Sequence, residues 1–206
     1  DNEMVVDCGG SESESSKEPV NFKYIYIPCD GSKPLEERTM RTTKDQALGC
    51  LLDVFRPHFA EAGKLATESQ RQALKDQISQ QMSKAGGQSS SQISDQQLEM
   101  MCDSQTVDIV PLIPAVAAGS FVSVTMYVDD RGSAKQLPRN SRASALVSAS
   151  GGSVDVLGDA FVARAYDNEA EDMRRMDFAL AELDPNSAWL ADAWRVKEVV
   201  ERTREG

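Results

Sequence analysis

The run NFKYIYIP, residues 21–28, constrains the fold more than any other part of this chain. Phe22, Tyr24 and Tyr26 alternate with Lys23, Ile25 and Ile27. Aromatic and β-branched residues at period two mark a strand. Both sets are bulky, so the strand is expected to be buried on both faces, and a sheet covered on both sides needs apolar partners above and below it. Pro28 ends the run and Asp30-Gly31 is a turn signal. A weaker strand is expected over 35–41.

Helical patterning follows. Ala47, Leu48, Leu51, Leu52, Phe55 and Phe59 recur at three- and four-residue spacings, with Thr42-Thr43 as the cap. Pro57 disfavours helical geometry at Arg56, so the helix is expected to end or kink there. His58, the single histidine, then sits near a helix C-terminus, where a partial positive charge is favoured. A second helix is expected over 67–82, with Thr67 and Gln70 as a capping box. Leu74, Ile78 and Met82 form a stripe one residue wide. Such a stripe docks on another element, of its own chain or of a partner.

The second half is denser in Val, Ala and Phe. Strands are expected at 107–113 and 121–129, a helix near 141–150 capped by Asn140 or Ser141 and stopped by Gly151-Gly152, one long strand or two over 154–167 with Gly158 as a bulge, and a strand over 174–183. A last helix, 186–204, carries Trp189 and Trp194. The fold class is therefore α+β, with a mostly antiparallel sheet flanked by helices in the C-terminal half and a smaller strand-plus-helices unit in the N-terminal half. The organisation expected is an acidic arm (1–19, with Met4, Val5 and Val6 as its only apolar anchors), the small unit (20–84), a linker with a short helix (85–104) and the α+β domain (105–206).

Charge narrows the partners. The 206 residues hold 33 acidic and 22 basic side chains, a net −11. The excess is even: 17 acids and 11 bases precede residue 107, and 16 and 11 follow. Nucleic-acid binding needs clustered Lys and Arg to displace counterions, and no half is basic, so nucleic acid is an unlikely partner. The most apolar stretch, 107–124, is broken by Asp108, Pro111, Pro114 and Gly119 and falls short of the ~20 apolar residues a bilayer span requires. No membrane span is expected. The four cysteines, Cys8, Cys29, Cys50 and Cys102, are scattered without Cys-x-x-Cys spacing. With one histidine they do not compose a zinc finger, and they read as reduced thiols of an intracellular, cytoplasmic or organellar (mitochondrial or plastid) protein. A start at Asp1 instead of Met is compatible with a removed transit peptide, a truncation or an unstructured beginning.

One stretch imitates a chemical motif. TMYVDDRGSA, 125–134, contains Tyr-x-Asp-Asp, the spelling by which reverse transcriptases present carboxylates to catalytic magnesium. Two metals need carboxylates from at least two strands, so Asp129 and Asp130 would have to meet Asp177 or Asp159. The competing reading is a two- to four-residue hairpin turn in which Asp129 accepts backbone N–H bonds, Arg131 is the exposed tip and Gly132 supplies a positive φ. No Gly-x-Ser-x-Gly and no phosphate loop accompany it.

The function expected from these features is a non-enzymatic structural or interaction subunit of a larger eukaryotic assembly, with other protein subunits as partners, no cofactor, and Leu74, Ile78, Met82, Trp189 and Trp194 as its contacts. The alternatives are a metal-dependent enzyme acting on a phosphorylated substrate through Asp129, Asp130 and Asp177, and a small-molecule-binding domain.

Overall fold

The computed structural model describes residues 19–43, 51–62, 68–85, 107–113, 122–166 and 174–184. The expected arm, the linker, the short helix after it and the helix carrying Trp189 and Trp194 lie outside the described residues, as do the side chains of 81–85, Met82 among them.

Six strands form one antiparallel sheet: β1 (Pro19–Ile27), β2 (Glu36–Thr43), β3 (Val107–Ile113), β4 (Val122–Asp129), β5 (Ala160–Tyr166) and β6 (Arg174–Met176). The order is β2-β1-β5-β4-β3, with β6 also on β5. The fold is α+β, and strands from before and after residue 104 share the sheet, because β1 pairs with β5 through Ile25–Val162, Tyr26–Phe161 and Ile27–Ala160. Below that contact β1 leaves β5 and β6 takes its place against Arg164–Tyr166. The 174–183 segment is strand only as far as Met176. Beyond it the Phe178 amide bonds to the Lys23 carbonyl at 3.0 Å, Lys23 N–H bonds to Asp177 at 2.8 Å, and Leu180–Leu183 forms a 3₁₀ turn.

The period-two pattern of β1 sorts its side chains onto two cores. Ile25 and Ile27 join Val110, Leu112, Val124, Met126, Val128, Val162 and Phe178 on one face. Helix α3 (Ser141–Ala149) closes that face with Ala143, Leu146 and Val147. Phe22 and Tyr26 join Tyr127, Phe161 and Ala163 on the other, where α1 (Leu52–Glu61) inserts Phe55 and Phe59. Phe55 lies flat on Phe161, centroids 4.3 Å apart at 4°. The helix runs through Pro57 instead of ending there. Phe55 and Phe59, one turn apart and on either side of the proline, are both buried in this aromatic layer, and their packing offsets the lost backbone bond. Helix α2 (Glu68–Ala85) turns Leu74 inward against Ala134, with Ile78 beside it. Leu74 and Ile78 of its narrow stripe pack against their own chain.

TMYVDDRGSA is not a short hairpin turn. After β4 the chain winds through 130–136, held by Lys135 N to Arg131 O and Leu137 N to Gly132 O, both 2.9 Å, and then enters α3 before returning as β5. Asp129 does accept a backbone bond, from Arg131 N at 2.9 Å. Arg131, however, is buried and not an exposed tip. Gly132 is not in the left-handed region; among the described residues those are Gly151, Gly158 and Gln136. Glycine is required at 132 for space, since a Cβ there would lie 2.8 Å from the Leu157 Cβ. Nor is Gly158 a bulge within a strand. Residues 152–156 are irregular, and Gly158, at φ +77°, makes the bend from which β5 starts.

Asn140 ties these parts together. Its side-chain oxygen caps α3 by accepting the Ala143 N–H at 3.1 Å, while its amide donates to the carbonyls of Ile27 and Gly158, each at 2.9 Å. Its own N–H donates to Val156 O at 2.8 Å. At the other end of α3, Gly152 N–H reaches Val147 O and Gly151 N–H reaches Ser148 O, the paired bonds of a Schellman stop. Asn140→Ala removes a cap and leaves two buried carbonyls without donors, so it should destabilise the fold by about 2–4 kcal/mol, measured by urea denaturation. A change below ~1 kcal/mol would show that the three bonds are replaceable.

Candidate functional site

The β1–β2 loop, residues 28–35, is fixed at both ends of its path, and the two arrangements that could act on a ligand lie on either side of it. Asp30 folds the loop by accepting Ser32 N–H at 3.0 Å and the Ser32 hydroxyl at 2.7 Å, which together hold its carboxyl below the ordinary range. Arg142, on α3, donates to the carbonyls of Pro28 (2.6 Å), Asp30 (3.0 Å) and Lys33 (2.7 Å).

On the α3 side lies an open groove of about 280 Å³, lined by Ile27, Leu35, Ala145, Leu146, Ala149 and Leu183, with Arg142 on its rim. It exists because α3 presents small side chains there. Ala145 and Ala149 are four residues apart and so share one face of the helix. Larger side chains at either position would fill the space.

On the α1 side is a polar centre built on Asp159, the residue after the Gly158 bend. One carboxylate oxygen accepts the Cys29 N–H at 2.8 Å. The other accepts the Tyr26 hydroxyl at 2.7 Å and meets His58 Nε2 at 3.0 Å. Burial alone would push the Asp159 carboxyl up, but the hydrogen bonds from His58, Tyr26 and Cys29 outweigh it and hold the carboxyl well below the usual carboxylate range. The ionised group in turn acts on its donors. Burial first, and then the bond to Asp159, push the Tyr26 phenol well above its ordinary range. The same two causes, in the same order, raise the Cys29 thiol. Cys29 is a free thiol, and a thiol held protonated beside a carboxylate is a poor nucleophile. Arg38 covers the Tyr26 ring at 3.8 Å and pairs with Glu36 at 2.7 Å.

The Asp-Asp pair of the imitated motif has other work. Asp129 is fully buried and bonded to Lys135 Nζ at 2.7 Å; the same ammonium donates to Phe59 O at 2.7 Å. A metal at Asp129 would have to displace that ammonium. Asp130 points to the exposed side, Asp177 is engaged by Lys23 N–H, and Asp159 belongs to the His58 centre. Among the described residues no three His, Cys, Asp or Glu side chains are arranged to hold a metal. Of the expected contact residues, Leu74 and Ile78 pack inside the chain; Trp189 and Trp194 and the Met82 side chain lie outside the described residues. The Tyr26–Cys29–His58–Asp159 grouping is absent from the sequence reading because its members are 101 to 133 positions apart in the pairs that matter. The one available signal was the lone histidine within a helix that had to pack on aromatic strands.

No protein-family model matches the chain, and no curated protein matches it. Among solved structures a match is found to the small RNA methyltransferase HEN1, at 15% identity and a TM-score of 0.42, covering 82% of this chain and 16% of that one. The chain thus spans about one sixth of its structural neighbour. That neighbour is an enzyme, and the expectation of a non-enzymatic structural subunit is corrected on this finding. At this TM-score no activity or substrate is carried across. Among the described residues no helix is long and apolar enough to cross a membrane.

Two outcomes test the Asp159 centre. Asp159→Asn removes the charge that opposes the Cys29 thiolate while leaving its burial, so alkylation of Cys29 by iodoacetamide at pH 8, followed by peptide mass mapping, should become roughly several-fold faster; an unchanged or slower rate contradicts the arrangement. A carboxyl depressed in the folded state stabilises it above the unfolded value of about 4 and loses that contribution as pH falls further. The wild type should therefore lose more stability between pH 6 and pH 3 than Asp159→Asn does, read from thermal melts.

Proposed function

We propose that this chain is a small-molecule-binding domain whose ligand occupies the groove between α3 and the β1–β2 loop. The observation that carries this reading is that six apolar side chains from β1, the loop, α3 and the 3₁₀ turn all face one open space of about 280 Å³. Ligand clefts run from roughly 300 to 1,000 Å³, so this groove suits a small molecule, of one or two rings. Three of its walls, from β1, the loop and α3, are locked together by Asn140 and Arg142, which favours a preformed site over one assembled on binding. Arg142 places a fixed cation at the rim, its guanidinium oriented by three carbonyls. A ligand with an apolar body and one acceptor or anionic end matches that lining.

The reading is tested with indole and 2-naphthoate as probes, using saturation-transfer NMR on the full chain. Binding is expected, tighter for 2-naphthoate. Ala149 is exposed on α3, so Ala149→Phe should leave the far-UV spectrum unchanged while weakening binding at least tenfold by filling the groove. Failure of both probes to bind, or equal binding by the variant, overturns the assignment.

A further inference from the structure

We infer that His58 and Asp159 form a general-base centre, separate from the groove and independent of what the groove binds. The inference rests on how the imidazole is held. Asp159 is ionised and already accepts N–H and O–H donors, so His58 Nε2, 3.0 Å away, must carry the proton and donate it. That fixes the tautomer and leaves Nδ1 as the nitrogen with a lone pair. The plane of the ring is fixed as well. Tyr26, Phe59 and Phe161 meet it edge to face, at 5.7, 5.6 and 4.9 Å and angles of 76°, 84° and 82°. The side chain nevertheless keeps 34% of its surface in solvent, against 18% for Asp159. A surface histidine without function has no need of a carboxylate that is itself held by a tyrosine and a backbone amide. An imidazole with one nitrogen tied to a half-buried carboxylate and the other without a hydrogen-bond partner among the described residues is the arrangement of a general base with its positioning residue.

The class of step follows from the groups present. Cys29 faces the same carboxylate that disfavours its thiolate, so it is not the attacking group, and the scheme takes solvent water, to which the half-buried ring is open, as the nucleophile. His58 Nδ1 takes a proton from water as the water oxygen bonds to the acyl carbon of a small ester, and the carbonyl electrons move onto oxygen. When that intermediate collapses, the bond to the leaving oxygen breaks and the leaving group takes the proton back from the imidazolium. Asp159 stabilises the imidazolium between the two events. No electron is transferred and no co-reactant beyond water is consumed. His58 is the catalytic residue of this scheme, and Asp159, Tyr26 and the Cys29 amide position it.

Two measurements on the full chain decide it. The ¹⁵N shifts of the His58 ring should show Nε2 protonated and Nδ1 bare in the wild type, and a mixture of tautomers in Asp159→Asn. With 4-nitrophenyl acetate as probe, hydrolysis should fall at least tenfold in His58→Gln, a modest part of the ~10²–10⁴ that general-base catalysis supplies, and added imidazole should restore part of the rate to His58→Gly. A protonated Nδ1 in the wild type, or hydrolysis as fast in His58→Gln as in the wild type, overturns the proposal. The ring shifts are read on the unsubstituted protein, so the inference stays testable if a variant fails to fold.

Discussion

The three hydrogen bonds of the Asn140 side chain are the constraint on which the arrangement of this molecule depends. An amide of this kind offers two donors and an acceptor in one rigid plane. Here they go to three places far apart in sequence: the end of β1, the bend before β5, and the first turn of α3. With 1% of its surface exposed, Asn140 is screened from competing water, and each bond left unmade would cost the desolvation of a buried polar group. Fixing Ile27 fixes where the β1–β2 loop begins. Fixing Gly158 fixes where Asp159 stands. Fixing the start of α3 sets the helix against the sheet and opens the groove beside it.

Both candidate sites inherit that geometry. Arg142, two residues along from Asn140, clamps the loop from the α3 side through three carbonyls, while Asp159 holds it from the α1 side through the Cys29 amide. The sheet between them separates an aliphatic core from an aromatic one. The aromatic layer is what lets α1 continue through Pro57 and bring His58 to Asp159, because Phe55 and Phe59 bury against Tyr127 and Phe161 whatever the proline removes. The buried Lys135–Asp129 pair adds a second fastening at the end of α1, through Phe59 O. A charged pair in so dry a place is weak evidence of net stability, and its consequence here is positional: it fixes the winding segment after β4 against the helix that carries His58.

Much of the fold was legible along the chain. The period-two alternation of 21–27 and the Val-rich stretch of 121–129 named their strands, and Asn140 with Gly151-Gly152 bracketed α3. The misreadings cluster where a residue type has two uses. Gly132 was expected to supply a positive φ and instead makes room for Leu157. Arg131, polar and beside a turn, was expected at the surface and is buried. The 174–183 run looked like a continuous strand, but β5 has only the stretch left free by β1 to offer it, so pairing stops at Met176. Of the site residues, His58 and Asp159 were each considered in isolation, one as a helix-end histidine and the other as a partner for Asp129. Nothing in linear spacing places them 3.0 Å apart.

The sequence by itself determined the class of the fold, because side-chain period and capping chemistry are local properties that survive without knowledge of neighbours. It also determined the even acidic charge. Tertiary structure decided which aspartate does what. Three carboxylates of similar appearance in the chain, at 129, 159 and 177, acquire different partners: a buried ammonium, a histidine–tyrosine–amide cluster, and an exposed backbone N–H. Long-range pairing of β1 with β5 brings residues 26 and 29 to residue 159, and the packing of α1 on the aromatic layer brings residue 58 there. A carboxylate's chemistry is set by the donors around it and by its distance from water, and neither is written within a few residues of its own position.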